Sequence, residues 1–430
     1  MIELNELSSA LNNEKTIMQM KSLYGNDEGI LTSQKIRYLH LADLFHMQFP
    51  SNETIRMFST SGRTEIAGNH TDHQRGHVLC ASVNLDIIAA VSPNDDNVIR
   101  LMSEGYDKID IVDLSVLTPV ESESCHSASL IRGIASQLSD RGHKIGGFDA
   151  YTSSRVPKGS GLSSSAAFEI MTATILSYLY NEGRITPVTM ALVSQFAENN
   201  FFGKPSGLMD QCGCSVGGLM TIDFRNPDMP LIDTISTDFE TFGYSLIISN
   251  IGGSHADLND DYASITSDMK KVAGYFGKTV LRDVNKLEFM ESLHLLREEV
   301  SDKAILRAMH YFADDEKVIL QADALKNNKI DTFLKLVNES GISSWTCLQN
   351  IYSLKFPEEQ PIALGLALSN HILQGRGACR VHGGGFAGTI QAFVPHDLVS
   401  EYIRSMETVF GTDTSWRLRI RNLPATEINL

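Results

Sequence analysis

The chain has 430 residues, 42% hydrophobic and 20% charged, which is enough for two or three globular cores and excludes wholesale disorder. Its formal net charge of -16 excludes a binder of nucleic-acid backbones, which needs a cationic face, but not a nucleotide site, because backbone N–H groups and Mg²⁺ hold phosphates without net positive charge. No run of about 18 apolar residues occurs, so no bilayer span is expected, and six scattered cysteines in an acidic chain read as reduced thiols.

The first fifty residues read as amphipathic helix, densest in apolar residues at LHLADLFHMQF. They lack the basic start and unbroken apolar core of a secretion signal, so a cytoplasmic location is expected. From Arg56 to about Leu117 the period shortens, and MFSTSGR, VLCASVNLDIIAAV and VIRLMSEGYDKIDIV read as strands. The stretch 61–79, SGRTEIAGNHTDHQRGHVL, suits no helix and is too polar for a core strand. A helix is expected at about 128–141 and a strand at GFDAYTSSRV, followed by a break at VPKGSGLSSS.

After the break, AAFEIMTATILSYLYNEG is apolar nearly all round, the mark of a buried helix. A second helix has Thr186 as N-cap and Pro187 at its first position, and ends near Gly203. KPSGLMDQCGC reads as a loop. Strands at LMTIDF and YSLIISN, helices at 258–276, 283–299 and 302–325, a strand–loop–strand at CRVHGGGFAGTIQAFV and a helix at 397–409 follow. A domain boundary near residue 230 divides the chain into 1–230 and 231–430.

Chemistry concentrates at four places. In PKGSGLSSSAAFEI, Gly159 and Gly161 let the backbone approach a ligand, and Ser163, Ser164 and Ser165 offer hydroxyls where a buried helix starts. The free N–H groups and partial positive charge of such a helix start make an anion site, with hydroxyls available to a metal ion. In AENNFFGKPSGLMDQ, Glu198 and Asp210 are two carboxylates of the kind an ATP-dependent phosphoryl transfer uses, one beside Mg²⁺ and one beside the reacting hydroxyl. HGGGFAGTIQ is either a tight hairpin or a ligand loop. The polar stretch 61–79 presents Arg63, Asp72 and histidines 70, 73 and 77 to a hydroxyl-rich ligand; its glycines oppose the helix a zinc pair at 73 and 77 would need. GYFGKT at 274–279 ends like a Walker loop, but Val272 stands where that motif needs glycine.

Together these segments resemble the three signatures of the GHMP small-molecule kinases, and the first is similar to that of the galactokinases. Arg63 leads, six residues on, to Asn69-His70-Thr71-Asp72; Gly-Leu-Ser-Ser-Ser-Ala stands at 161–166, and Gly-Gly-Gly-Phe-Ala-Gly at 383–388. AEN…GLMDQ matches the stretch that holds the family's catalytic aspartate, and His255 and Tyr262 its substrate-side tyrosine region. The resemblance implies an α+β fold, with an N-terminal ribosomal-S5-like α/β domain, a C-terminal ferredoxin-like domain and the active site between them. It also implies site roles. Arg63 is the cation beside the transferred phosphoryl group and Asp210 faces the anomeric hydroxyl. Asn69, His70, Asp72, Gly207 and Tyr262 line a sugar pocket. Gly159, Ser160, Gly161, Leu162, Ser163, Ser164 and Ser165 cradle the ATP phosphates, and Ser165 and Glu198 hold Mg²⁺.

The expected activity is transfer of the ATP γ-phosphoryl group to C1 of galactose, with ATP and a small sugar as partners and neither nucleic acid nor membrane. Three positions depart from the family. Asn69 replaces the usual glutamate, His73 the usual tyrosine, and Thr60-Ser61 the usual Ala-Pro. These bear on which sugar is bound, and leave a kinase for a related sugar such as galacturonate or N-acetylgalactosamine, or a non-catalytic sugar and ATP sensor, as the alternatives.

Overall fold

A computed structural model describes residues 1–157, 159–204, 206–253 and 258–430. The chain opens with β1 (Ile2–Glu3), α1 (Leu7–Ala10), α2 (Glu14–Tyr24) and α3 (Glu28–Gln48). Asn13 and Asp27 cap α2 and α3 through their side-chain oxygens, which breaks the expected long helix into pieces. β2 (Thr54–Ala67) and β3 (His77–Pro93) form a long antiparallel pair, followed by β4 (Val98–Ser103), β5 (Asp110–Asp113), α4 (Ser127–Asp140) and β6 (Phe148–Ser154).

Next come α5 (Ser164–Tyr180), α6 (Pro187–Ala197), α7 (Met209–Ser215), β7 (Leu219–Asp223), β8 (Leu231–Ile235) and β9 (Tyr244–Gly252). α5 is buried at every residue from Glu169 to Ser177, as its unbroken apolar composition requires. The C-terminal part holds α8 (Asn259–Tyr275), α9 (Lys286–Glu291), α10 (Leu293–Glu299), α11 (Asp302–Lys326), α12 (Ile330–Ser343), α13 (Pro361–Leu373), β10 (Ala378–His382), β11 (Gly388–Pro395), α14 (Val399–Phe410), β12 (Ser415–Leu418) and β13 (Thr426–Glu427).

The strands of the described residues make two sheets. The first runs β1-β2-β3-β6-β4-β5, with β7 and β8 continuing from one half of β3 and β13 adding to β2; β4–β6 is its parallel pair. The second is antiparallel, in the order β10-β11-β9-β12. The boundary expected near residue 230 falls just before β8, which still pairs with β7. One hydrophobic cluster spans both sheets. In it Phe239, Phe333 and Phe393 meet with ring centroids 4.9–5.4 Å apart, and Val318 and Ala322 of α11 join residues of β2 and β3.

Three expectations need correction. Residues 61–67, read as too polar for a core strand, lie inside β2 and are buried throughout, because each polar side chain finds a partner on α7 or β10. KPSGLMDQCGC is not a loop over its whole length, since its second half forms α7 and puts Asp210 in a helical first turn. The single helix expected at 283–299 is two short ones meeting at Ser292, and α12 and α13 are helices beyond those expected.

Candidate active site

β2 supplies the first side chains. Its pairing with β3 is irregular between Ser61 and Arg63 and again between Glu65 and Ala67, and such bulges re-aim side chains. Arg63, with a side chain only 7% exposed, donates to Asp210 Oδ1 from Nε at 2.9 Å and from Nη2 at 2.6 Å. Its Nη1 donates to the carbonyl of Gly161 and its backbone N–H to the carbonyl of Leu162 at 3.1 Å, so the glycine–serine loop is tied to β2 at two points. Farther along the strand, Thr64 Oγ1 lies 3.0 Å from His382 Nε2, and Glu65 Oε1 accepts from Arg380 at 3.1 Å.

The loop before α5 meets the same centre. Ser163 sits at the helix N-cap with φ +57° but makes no cap bond; its hydroxyl donates to Asp210 Oδ2 instead. No cap side chain therefore competes with an anion for the first-turn N–H groups of α5. Ser160 and Leu162 are fully buried, Ser160 donating to Pro157 O at 2.6 Å, so they offer the loop's backbone rather than side chains. Ser165 is exposed in the first turn of α5. At Gly161, φ is +68° and an added Cβ would stand 3.0 Å from Thr389 Oγ1 and 3.1 Å from His382 Nδ1. Gly161→Ala combines left-handed strain of about 1–2 kcal/mol with this crowding. A rise of tenfold or more in the KM for ATP is expected, read by nucleotide titration at saturating sugar.

Glu198 opens a turn of π-helix, Glu198–Phe202, at the end of α6, a geometry common at functional sites. Its side chain is 4% exposed. Oε1 accepts from Lys204 at 2.7 Å and Oε2 from Gln211 Nε2 at 3.0 Å. Gln211 Nε2 also reaches Glu169 Oε2 at 3.0 Å, and Glu169 lies one helical turn beyond Ser165, on the same face of α5. Glu169 was not singled out from the sequence; an acid in an apolar helix was the available signal. Burial, reinforced by the neighbouring Glu198, pushes its carboxyl well above the usual range. Glu169 Oε1 and Gln211 Oε1 have no hydrogen-bond partner among the described residues. Oxygen donors with an uncompensated acceptor beside them suit a hard cation such as Mg²⁺, which binds through one or two carboxylates plus substrate phosphates.

Asp210 is 35% exposed at its side chain. Burial acts to raise its pKa, but the Arg63 guanidinium and the Ser163 hydroxyl outweigh that and hold the carboxyl below its ordinary value.

Three of the residues expected to meet a sugar, Asn69, His70 and Tyr262, bond to the β10–β11 turn. His70, with φ +60°, places Nε2 2.9 Å from Gly384 O; Tyr262 donates to Gly385 O at 2.9 Å. Burial and the nearby His73 lower the His70 pKa to about 4, so its ring is neutral at pH 7. Gly207 abuts Asp72, where an added Cβ would sit 2.5 Å from Asp72 Oδ2. Asn69 is fully buried, its amide bonded to Glu65, Gly383 and Asn350. His255 lies outside the described residues.

The model of the GHMP kinase N-terminal domain matches residues 129–218, which hold the serine loop, Glu198 and Asp210, and the galactokinase galactose-binding signature matches 43–93, which hold Arg63 to Asp72. Galactokinase from Lactococcus lactis, solved with galactose, superposes with a TM-score of 0.75 at 20% identity, covering 90% of this chain and 98% of that one. Mevalonate kinase from Methanococcus jannaschii follows at 0.60 and 15% identity, covering 85% and 98%. A D-glycero-D-manno-heptose 1-phosphate kinase from Bacteroides thetaiotaomicron gives 0.57 at 16%, covering 88% and 99%. These structures share the fold, and the two signatures fall on the stretches that converge around Arg63 and Asp210. The chain thus has the fold of the GHMP kinases, with the N-terminal domain model of that family matched over 129–218 and the galactokinase galactose-binding signature over 43–93.

Proposed function

We propose that the protein transfers the γ-phosphoryl group of MgATP to the C1 hydroxyl of galactose, giving galactose 1-phosphate. The observation that carries this reading is the joining of Arg63, Ser163 and Asp210, three residues from distant segments, in one hydrogen-bonded group at the start of α5. An oxyanion-binding helix end, a cation and a carboxylate at one point supply the positioning and charge compensation that in-line phosphoryl transfer requires.

Asp210 is too acidic to be a strong base towards an alcohol, whose proton leaves late in a loose transition state. Its role is to orient the C1 hydroxyl with a lone pair not used by Arg63 or Ser163 and to take the proton after the barrier. Arg63 offsets charge on the transferring phosphoryl oxygens, and Gly159 to Ser165 bind the phosphate chain through backbone N–H groups and hydroxyls. Asp72, His70, Gly207 and Tyr262 hold the sugar. Ser165 and Glu198 would hold Mg²⁺, which neutralises phosphate charge when bound. The six unpaired thiols fit a reducing, cytoplasmic setting.

ADP release with a panel of sugars, and NMR of the product, test the reading. Galactose should turn over fastest and carry its phosphate on C1. Faster turnover of another sugar reassigns the substrate, and tight sugar binding without ADP release means a sensor. For the metal role, Glu198→Gln should weaken Mg²⁺ binding to the complex with a non-hydrolysable ATP analogue by about tenfold or more, since even partners of metal ligands contribute that much. Isothermal titration reads this without turnover.

A further inference from the structure

Asn69 stands where the resemblance leads one to expect a glutamate facing the sugar. The side chain is 0% exposed and its amide has no free valence. Nδ2 donates to Glu65 Oε1 at 3.1 Å and to Gly383 O at 2.6 Å; Oδ1 accepts from Asn350 Nδ2 at 2.8 Å and Ser344 Oγ at 3.5 Å. Both N–H bonds end on acceptors and both oxygen contacts come from donors, so the amide orientation is set by chemistry. The backbone is held as firmly. Asn69 N–H donates to Asp314 Oδ2 at 3.0 Å, and His310 Nε2 lies 3.0 Å from Asn69 O.

A carboxylate cannot replace this amide without loss. It would put an acceptor against Glu65 and against the Gly383 carbonyl, with Asp314 also next to the residue. Glu65 itself is 4% exposed and neutralised by Arg380, which also donates to Ile66 O and Val381 O at 3.0 Å each. Among the described residues Arg380 is the cation that bonds Glu65 directly, so in this chain the acid it holds is at 65.

We infer that Asn69 is a positioning residue rather than a sugar ligand, and that residues 65 and 69 form an exchangeable pair of one acid and one amide that fixes the glycine turn 383–385 against β2. The consequence reaches both substrates. Gly384 O and Gly385 O meet His70 and Tyr262 on the sugar side, and the strands flanking the turn present His382 and Thr389 to Gly161 on the phosphate side. Slackening the Asn69 bonds lets the turn move and mis-sets both.

The inference rests on the sugar-kinase reading only for its activity readout; a melting experiment on ligand-free protein tests the pair itself. Asn69→Glu should lower the thermal midpoint and, at pH 8, cut kcat/KM for galactose at least a hundredfold, with kcat falling as well as KM rising. Glu65→Asn combined with Asn69→Glu should restore the midpoint and bring kcat/KM to within about fivefold of wild type, because acid and amide have traded places. If Asn69→Glu does not fold, soluble expression of the double variant becomes the readout. An Asn69→Glu enzyme as stable and active as wild type, or a double variant no better than the sum of its parts, overturns the inference. Coupling in the melts with no phosphorylation by any variant, wild type included, leaves the pair standing and removes the kinase reading.

Discussion

Asp210→Asn lowers kcat for galactose at least a hundredfold and leaves the sugar KM within a few-fold of wild type. The amide keeps the shape and can still accept from Ser163 or Arg63, so the architecture around α7 survives. What disappears is the negative charge and free lone pair that hold the alcohol in line before the barrier, and misplacing a reacting group by about 1 Å costs about 10² in rate. Loss of kcat with KM retained marks an interaction made chiefly in the transition state. A variant retaining more than about a tenth of wild-type kcat, a loss below ~1.4 kcal/mol, would mean that Asp210 has no such role. Because the Asp210 carboxyl is held below its ordinary pKa, its ionisation should put no acid limb in the kcat profile between pH 5 and 8.

The largest expected effect on stability lies elsewhere, at Asp86 in β3. This carboxylate is 1% exposed and receives Tyr24 Oη at 2.6 Å, the Ser59 hydroxyl and the Arg37 guanidinium, with Arg421 Nη1 3.8 Å away and itself fully buried. Asp86→Ala leaves two buried cations facing no charge, and removing one partner from such a group costs about 3–5 kcal/mol. Urea unfolding at pH 7 reads the loss. The pH dependence has a definite sign. Burial alone would raise the Asp86 pKa, yet Arg37 and Arg421 bring it below its ordinary value in the folded chain. A depressed folded pKa contributes stability that is present above the unfolded value, about 3.9, and is lost as pH falls through the folded one. The gap between wild type and variant should therefore be constant from pH 5 to 7 and shrink in stronger acid. A gap that widens in acid would contradict the assignment.

These two centres show which information is local. The capped start of α6 at Thr186, the buried α5 and the β10–β11 hairpin follow from apolar period, capping residues and glycine placement, and each is found where the residues direct it. Arg63, Ser163 and Asp210 were singled out from three separate motifs, and the structure brings them into hydrogen-bond contact. Asp86, Arg37 and Arg421 carry no motif; nothing in the residues around each predicts that 49 and 335 positions of chain would close on one carboxylate.

Local pattern determined α4, α5, α6, α8, α11 and α14, the long strands and the residue types able to handle a phosphate, because propensity, capping and periodicity act over a few residues. The tertiary structure alone decided that the polar run 61–67 is a buried strand, that Glu169 and Gln211 stand behind Glu198, and that Asn69 is fully bonded inside the protein. A polar side chain is tolerated in a core only when partners distant in the chain satisfy its hydrogen bonds, and those partners become neighbours only after the two sheets have packed together.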